Sequence, residues 1–136
     1  MLVKEIMRTD IITVPPEMPV KKLIRLLMEK RISGAPVVNE NKELVGIVSG
    51  IDVMKAAEYL IKVFVSLSED AEHHGDSNWV EGIMTKNVIT VSEETDIREA
   101  FRIMVEKHIH RLPVTESGKL KGIITSTDAC RLFVEG

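Results

Sequence analysis

The sequence predicts a mixed α/β (α+β) fold: two tandem β-α-β-β-α units packed in pseudo-two-fold symmetry, with an extended helix and a linker between them. Three observations predict it. The chain repeats itself at a nearly constant offset. Each copy alternates short β-branched runs with segments whose apolar residues recur at helical spacing. The apolar palette is aliphatic, since hydrophobic residues make up 44% of the 136 and aromatics only 4%. Such a core suits small sheets of β-branched residues covered by helices bearing Leu and Met.

The repeat is read by sliding the chain along itself by 77 residues. Ile6-Met7 falls on Ile83-Met84, Ile12-Thr13-Val14 on Ile89-Thr90-Val91, Glu29-Lys30 on Glu106-Lys107, and Pro36-Val37 on Pro113-Val114. Between residues 6–39 and 83–116, 12 of 34 pairs are identical, where composition alone gives about two. One residue is then lost in a turn, and at an offset of 76 Gly46-Ile47 meets Gly122-Ile123 and Asp52 meets Asp128. Loops tolerate such deletions.

Each copy begins with a short amphipathic turn, Val3 to Met7 and Val80 to Met84. A strand follows, Ile11 to Val14 and Val88 to Val91. Val20, Leu23, Ile24, Leu27 and Met28 stand at i, i+3, i+4, i+7 and i+8, as do Ile97, Ala100, Phe101, Met104 and Val105, so a helix comes next. Pro19 suits its first position in copy one, and Thr95 suits the N-cap in copy two. A hairpin then runs from Ala35–Val38 into Leu44–Val48 through Asn39-Glu40-Asn41; in copy two it runs from Leu112–Thr115 into Leu120–Ile124 through Ser117-Gly118. A final helix starts near Ser49 or Thr125. Met54, Ala57, Leu60, Ile61, Phe64 and Val65 carry it on to about Leu67 in copy one, and its other faces are also apolar, so it has to be covered by its own module or by a second chain. A polar linker with His73-His74-Gly75-Asp76-Ser77-Asn78 follows. These signals divide the chain into 1–58 (unit one), 59–78 (helix extension and linker) and 79–136 (unit two). A unit of about 50 residues buries too little surface to stand alone, so the two copies are expected to share a core.

Composition excludes several classes. The net charge is -3, and Lys and Arg are scattered, with Lys21, Lys22 and Arg25 on an outer helix face; no nucleic-acid interface is expected. The longest apolar runs fall short of the roughly 18 residues of a membrane span, and no secretory signal is read, so the expectation is cytoplasmic, with no membrane. The single cysteine, Cys130, permits neither an intramolecular disulfide framework nor a multi-cysteine metal site, and beside Ala129 and Leu132 it reads as a small core thiol. His73 and His74 lack a third ligand at suitable spacing, so no metal is assigned. Paired catalytic carboxylates, a nucleophile beside a base and a phosphate-binding Walker loop are all missing, so no catalytic residue and no enzyme activity are assigned.

One motif occurs in both copies: Gly-x-x-Ser/Thr-x-x-Asp, at Gly46/Ser49/Asp52 and Gly122/Thr125/Asp128. Ser or Thr at a helix N-cap with an acid three residues on is a variant capping box, and Asp suits the positive end of the helix dipole. The same carboxylate could also accept from a pair of ribose hydroxyls, beside helix amides that suit phosphate.

The order and spacing of Ile6-Met7, Ile12-Thr13-Val14, Gly34-Ala35-Pro36-Val37-Val38 and Gly46-Ile47-Val48-Ser49-Gly50-Ile51-Asp52 resemble a CBS domain, the module named after cystathionine β-synthase. Ile83-Met84, Val88-Ile89-Thr90-Val91, His110-Arg111-Leu112-Pro113-Val114 and Gly122-Ile123-Ile124-Thr125-Ser126-Thr127-Asp128 repeat it. The resemblance implies a tandem pair that binds an adenosyl ligand (AMP, ADP, ATP or S-adenosylmethionine) as a regulatory ligand and requires no cofactor. Such a pair senses nucleotide or energy state, controls a partner protein not named by the sequence, and assembles as a disc-shaped homodimer; the alternative is a ligand-free interaction or dimerisation module. By the same resemblance, the copy-two site comprises Val88, Ile89, Thr90, His110, Arg111, Leu112, Pro113, Thr125, Thr127 and Asp128. The copy-one site comprises Ile11, Ile12, Thr13, Gly34, Ala35, Pro36, Ser49 and Asp52. Asp52 and Asp128 would hold ribose; Ser49, Thr125 and Thr127 would donate to ribose or phosphate oxygens. Adenine would lie against the backbone of Ile11-Ile12 and Gly34-Ala35, or of Val88-Ile89 and Arg111-Leu112. His110 and Arg111 replace Ser33 and Gly34 of copy one. If they are more than an exposed corner, copy two takes the more highly charged ligand and copy one binds more weakly or stays empty.

Overall fold

The helical spacing in the sequence becomes helix α1 (Val20–Lys30) in copy one and α4 (Ile97–Lys107) in copy two. The structure, a computed structural model, describes residues 1–65 and 78–135, leaving aside the side chains of residues 59–65 and 135. A 3-10 turn η1 (Val3–Glu5) precedes α1, and a one-turn helix α3 (Val80–Ile83) precedes α4. Strands β1 (Gly34–Val38) and β2 (Leu44–Ser49) pair with each other, as do β3 (Arg111–Glu116) and β4 (Lys119–Thr125), each pair followed by a helix, α2 (Gly50–Val65) and α5 (Ser126–Glu135). The order is the mixed α+β order expected of the repeat. Leu67, the expected end of α2, and the linker histidines His73 and His74 lie outside the described residues.

Four local expectations change. The runs Ile11–Val14 and Val88–Val91 form no continuous strand; each touches its hairpin through one parallel bridge, Val14 to Val37 and Val91 to Val114. Pro15 lacks the N–H that would extend the ladder in copy one. Pro19 is the N-cap of α1, one place before the first helical residue. Asp96, not Thr95, caps α4 by accepting from the Arg98 amide at 2.8 Å, while the Thr95 hydroxyl accepts from the Ser92 amide at 3.1 Å and closes the preceding turn. Cys130 is exposed. Two positions beyond the buried Asp128, it falls about 200° round the helix, away from the face that Asp128 turns inward. Both α1 and α4 end on a non-glycine residue in the left-handed conformation, Arg31 (φ 53°) and His108 (φ 55°).

The chain packs as two compact units. One comprises residues Met1–Ile11, Asn41–Leu44 and Ile89–Gly136; the other comprises Ile12–Glu40 and Val45–Val88. The first turn of each copy therefore belongs to the core built by the other copy's helix and hairpin. Val3 is fully buried with Val91, Ala100, Met104, Leu112, Val114 and Ile124. Val80 is fully buried with Val14, Leu23, Leu27, Ala35, Val37 and Val48. Burying one such side chain stabilises by about 1.5–3 kcal/mol, enough to fix where each turn docks.

The backbone repeats the arrangement. The Val3 amide donates to the Thr95 carbonyl at 2.8 Å, and Arg8 and Ile123 exchange two hydrogen bonds of 2.9 and 3.0 Å. In the other unit the Val80 amide donates to the Met18 carbonyl at 2.9 Å, and Thr85 and Ile47 exchange bonds of 2.8 and 2.9 Å. Glycine makes both dockings possible. A Cβ on Gly122 would lie 2.5 Å from Met7 Sδ and 2.9 Å from the Arg8 carbonyl oxygen; one on Gly46 would lie 2.5 Å from Met84 Sδ and 3.0 Å from the Thr85 carbonyl oxygen. The Ile-Met pair and the Gly of the duplicated motif thus serve one contact, made once in each unit.

Candidate functional site

Each hairpin ends where a helix begins, and that junction carries the duplicated carboxylate. In one unit the Ser49 amide (2.8 Å) and hydroxyl (3.1 Å) both donate to Asp52 Oδ2. In the other, the Thr125 amide (3.2 Å) and hydroxyl (2.9 Å) donate to Asp128 Oδ2, and the Asp128 amide returns a bond of 3.2 Å to the Thr125 hydroxyl. This reciprocal pattern is the capping box read from the sequence. A second duplicated bond ties the junction to the strand entry: the Gly50 amide donates to the Ser33 carbonyl, and the Ser126 amide to the His110 carbonyl, both at 2.9 Å.

Those bonds bring His110, Arg111, Thr125 and Asp128 to one end of β3–β4, where Arg111 stands opposite Thr125 in the register. His110 is exposed and Arg111 half-buried; burial holds the Arg111 guanidinium below its usual pKa, though an arginine stays charged throughout. Thr127 is exposed on the first turn of α5. Ile89 and Thr90, both exposed, precede Val91, whose amide donates to the Pro113 carbonyl at 3.1 Å. Leu112 and Pro113 are buried, and the Pro113 carbonyl is the one that Val91 engages. Val88 lies in the other compact unit.

The copy-one residues are arranged alike. Ser49 and Asp52 are partly buried, Gly34 enters β1, and Ala35 and Pro36 are buried. Thr13 is exposed and Ile12 partly buried beside Val14, whose amide donates to the Pro36 carbonyl at 3.1 Å. Ile11 falls in the unit that holds copy two's hairpin. Asp52, Lys55, Ala56, Gly82 and Ile83 line a cleft of about 250 Å³.

Two residues at the copy-two carboxylate escape sequence reasoning. Arg8 Nε donates to Asp128 Oδ1 at 2.9 Å, and Arg131 Nη1 donates to the same oxygen at 3.2 Å. The Asp128 side chain is 6% exposed, while those of Arg8 and Arg131 are 48% and 45% exposed, so a nearly buried carboxylate is held by two half-exposed guanidiniums. Burial works to raise its pKa, but hydrogen bonds from Arg8 and Thr125 outweigh that, and the carboxyl lies below its usual value. Arg131 was detectable at i+3 from Asp128 on one helix. Arg8 carries no local signal, being 120 residues away; the exchanged first turn delivers it. The duplicate positions hold Thr85 for Arg8 and Lys55 for Arg131. Among the described residues, Asp52 Oδ1 has no hydrogen-bond partner.

Known proteins share this fold. The CBS domain family model matches residues 3–59 and 80–135. The chain is 40% identical over 120 residues to the inosine-5'-monophosphate dehydrogenase of Korarchaeum cryptofilum, covering 88% of this chain but 21% of that protein. It is 30% identical over 131 residues to the uncharacterized protein MJ1225 of Methanocaldococcus jannaschii, covering 96% of this chain and 42% of that one. The chain thus spans less than half the length of each of these two relatives. Among solved structures, CBSX2 in complex with AMP superposes with a TM-score of 0.83 at 29% identity, covering 98% of this chain and 96% of that one. The CBS domain pair of protein MJ0100 in complex with 5'-methylthioadenosine and S-adenosyl-L-methionine does so with a TM-score of 0.79 at 29% identity, covering 99% and 97%. No described helix is long and apolar enough to cross a membrane. With two matched segments spanning most of its length and the same fold as solved pairs, this chain belongs to the CBS domain family and carries two copies of that domain.

Proposed function

We propose that this chain is a regulatory module that binds an adenosyl ligand, either an adenine nucleotide or S-adenosylmethionine, and reports it to a partner protein. The observation that carries the reading is the duplicated carboxylate junction on a fold whose solved neighbours hold AMP in one case and methylthioadenosine with S-adenosylmethionine in another. Asp52 and Asp128 are the ribose acceptors, a carboxylate being suited to two adjacent hydroxyls. Ser49, Thr125 and Thr127 supply hydroxyls. Adenine would lie against the backbone of Ile11-Ile12 and Gly34-Ala35, or of Val88-Ile89 and Arg111-Leu112. His110 and Arg111 favour a phosphate at the copy-two site. The module needs no resident cofactor and is not itself an enzyme. Its match to a fraction of a dehydrogenase fits a domain that serves other activities.

We place it in the cytoplasm as a homodimer. On α2, Ile51 and Met54 are 59% and 63% exposed, which supports cover by a second chain over cover by its own module; a monomeric mass by light scattering at micromolar concentration would refute the dimer. The alternative, a ligand-free interaction module, draws support from Phe133 and Val134 on α5, which are 84% and 86% exposed. Calorimetric titration of ligand-stripped protein with AMP, ADP, ATP and S-adenosylmethionine separates the two. Saturable heat with at least one of them supports the sensor; no heat and no thermal shift with all four leaves the interaction module.

A further inference from the structure

We propose that Arg8 determines which adenosyl ligand the copy-two site accepts: it competes within the chain for Asp128, and only a ligand that brings its own anion can release it. The inference rests on the adenosyl-ligand reading above and names the selectivity of that site.

An ionised carboxylate offers about four acceptor positions. Asp128 has four side-chain and amide donors in place, Thr125 twice on Oδ2 and Arg8 and Arg131 on Oδ1. A ribose diol that binds Asp128 therefore has to displace a guanidinium. Arg8 is built to stand there. Its backbone is pinned by the two hydrogen bonds to Ile123, so its side chain swings on a fixed stem.

The duplicate carboxylate shows what the site is like without this competitor. Asp52 has the same two donors on Oδ2, but Thr85 stands in place of Arg8 and Lys55 in place of Arg131. Its Oδ1 has no partner among the described residues, and it borders the cleft of about 250 Å³. The two sites thus differ by two guanidiniums, of which Arg131 comes from the carboxylate's own helix and Arg8 from 120 residues away.

Ligand chemistry decides the consequence. Adenosine or methylthioadenosine can satisfy Asp128 but leaves the displaced Arg8 without an anion. S-adenosylmethionine brings a carboxylate, but its sulfonium and ammonium outweigh that charge, so it offers the two guanidiniums a net cation and no oxyanion fixed at the ribose 5' position as a phosphate is. A nucleoside monophosphate offers the guanidinium an oxyanion in fork geometry, exchanging one charge-assisted pair for another. The copy-two site therefore prefers AMP to adenosine, and the copy-one site discriminates less.

The test is calorimetric titration of the full chain with AMP and with adenosine, in an Asp52→Ala background that isolates copy two. With Arg8 intact, AMP binds tighter by about tenfold or more, the range of a charge-assisted hydrogen bond. Arg8→Thr, which reproduces Thr85, tightens adenosine and weakens AMP, so the ratio falls towards one. Arg8→Gln, which keeps the stem without the charge, does the same, and Arg8→Lys retains the preference. The proposal is overturned if Arg8→Thr and Arg8→Gln weaken both ligands in proportion, or leave both unchanged. Failure of the underlying reading is separately visible: the unsubstituted chain would then bind neither compound, and the proposal would fall with it.

Discussion

Gly122→Ala tests the exchanged docking of the first turn, because two effects of known sign oppose each other there. Gly122 lies in β4 with no positive φ, so alanine fits its backbone, and the loss of unfolded-chain entropy alone would stabilise the protein by about 0.4–1 kcal/mol. Against that, the new Cβ would stand 2.5 Å from Met7 Sδ, 2.8 Å from its Cγ and 2.9 Å from the Arg8 carbonyl oxygen. Met7 can rotate away, but the carbonyl can withdraw only by straining the Arg8–Ile123 pair. Overpacking costs about 1–3 kcal/mol and one weakened hydrogen bond about 0.5–1.5 kcal/mol, so after the entropy gain the net effect is destabilisation by about 1–3.5 kcal/mol. Gly50→Ala is the control: its Cβ meets nothing nearer than the Ser33 carbonyl oxygen at 4.0 Å, so the same entropy term should raise stability by about 0.4–1 kcal/mol. Urea unfolding of both variants reads the difference. Gly122→Ala matching or exceeding the parent's stability, with Gly50→Ala stabilised as expected, would refute the docking contact. Gly122→Ala combined with Met7→Ala should lose less than the sum of the single changes, since the residues touch.

The carboxyl of Asp128 has its folded pKa lowered, so its ionised form contributes stability that is present above the unfolded value of about 3.9 and is lost as pH falls through the folded value. Urea midpoints of the parent and Asp128→Asn should therefore differ at pH 7, begin to converge as pH falls below about 3.9 and meet only below the lowered folded value; a gap that persists beyond it would exclude the ionised pair as its source. Arg31→Gly and His108→Gly each remove a left-handed non-glycine residue at a helix end and should raise stability by up to about 1 kcal/mol, read from thermal unfolding; a loss in both would show that the side chains themselves hold the caps. Asp96→Ala should lower the unfolding midpoint and Thr95→Val should do so without unwinding the start of α4, because the Asp96 carboxylate, not the Thr95 hydroxyl, receives the Arg98 amide; amide exchange at Arg98 separates the two.

Much of this architecture was legible in the residues. The 77-residue offset and the spacing of Val20 through Met28 located α1 and α4, because a helix face leaves a periodic trace in one stretch of chain. The capping boxes at Ser49/Asp52 and Thr125/Asp128 were readable for the same reason: their partners are three residues apart. The exchange of first turns left no such trace. Val3 is as apolar as any core residue wherever it docks, and Gly122 reads as a strand glycine until Met7 is found beneath it. Arg8 was illegible on that account, since nothing near residue 8 in the chain names Asp128. Cys130 misled through its neighbours in sequence: Ala129 and Leu132, three residues apart, share a half-buried side of α5, and Cys130 is turned out from it.

The central claim is that the duplicated carboxylates hold an adenosyl ligand, and AMP titration of the parent, Asp52→Ala, Asp128→Ala and the double variant tests it most directly. Each single variant should lose one binding event or weaken it by about tenfold or more, the scale of a lost hydrogen bond to a charged group, and the double variant should bind none while remaining folded by circular dichroism. A folded double variant that binds AMP as the parent does would contradict the account and leave Asp52 and Asp128 as helix caps alone.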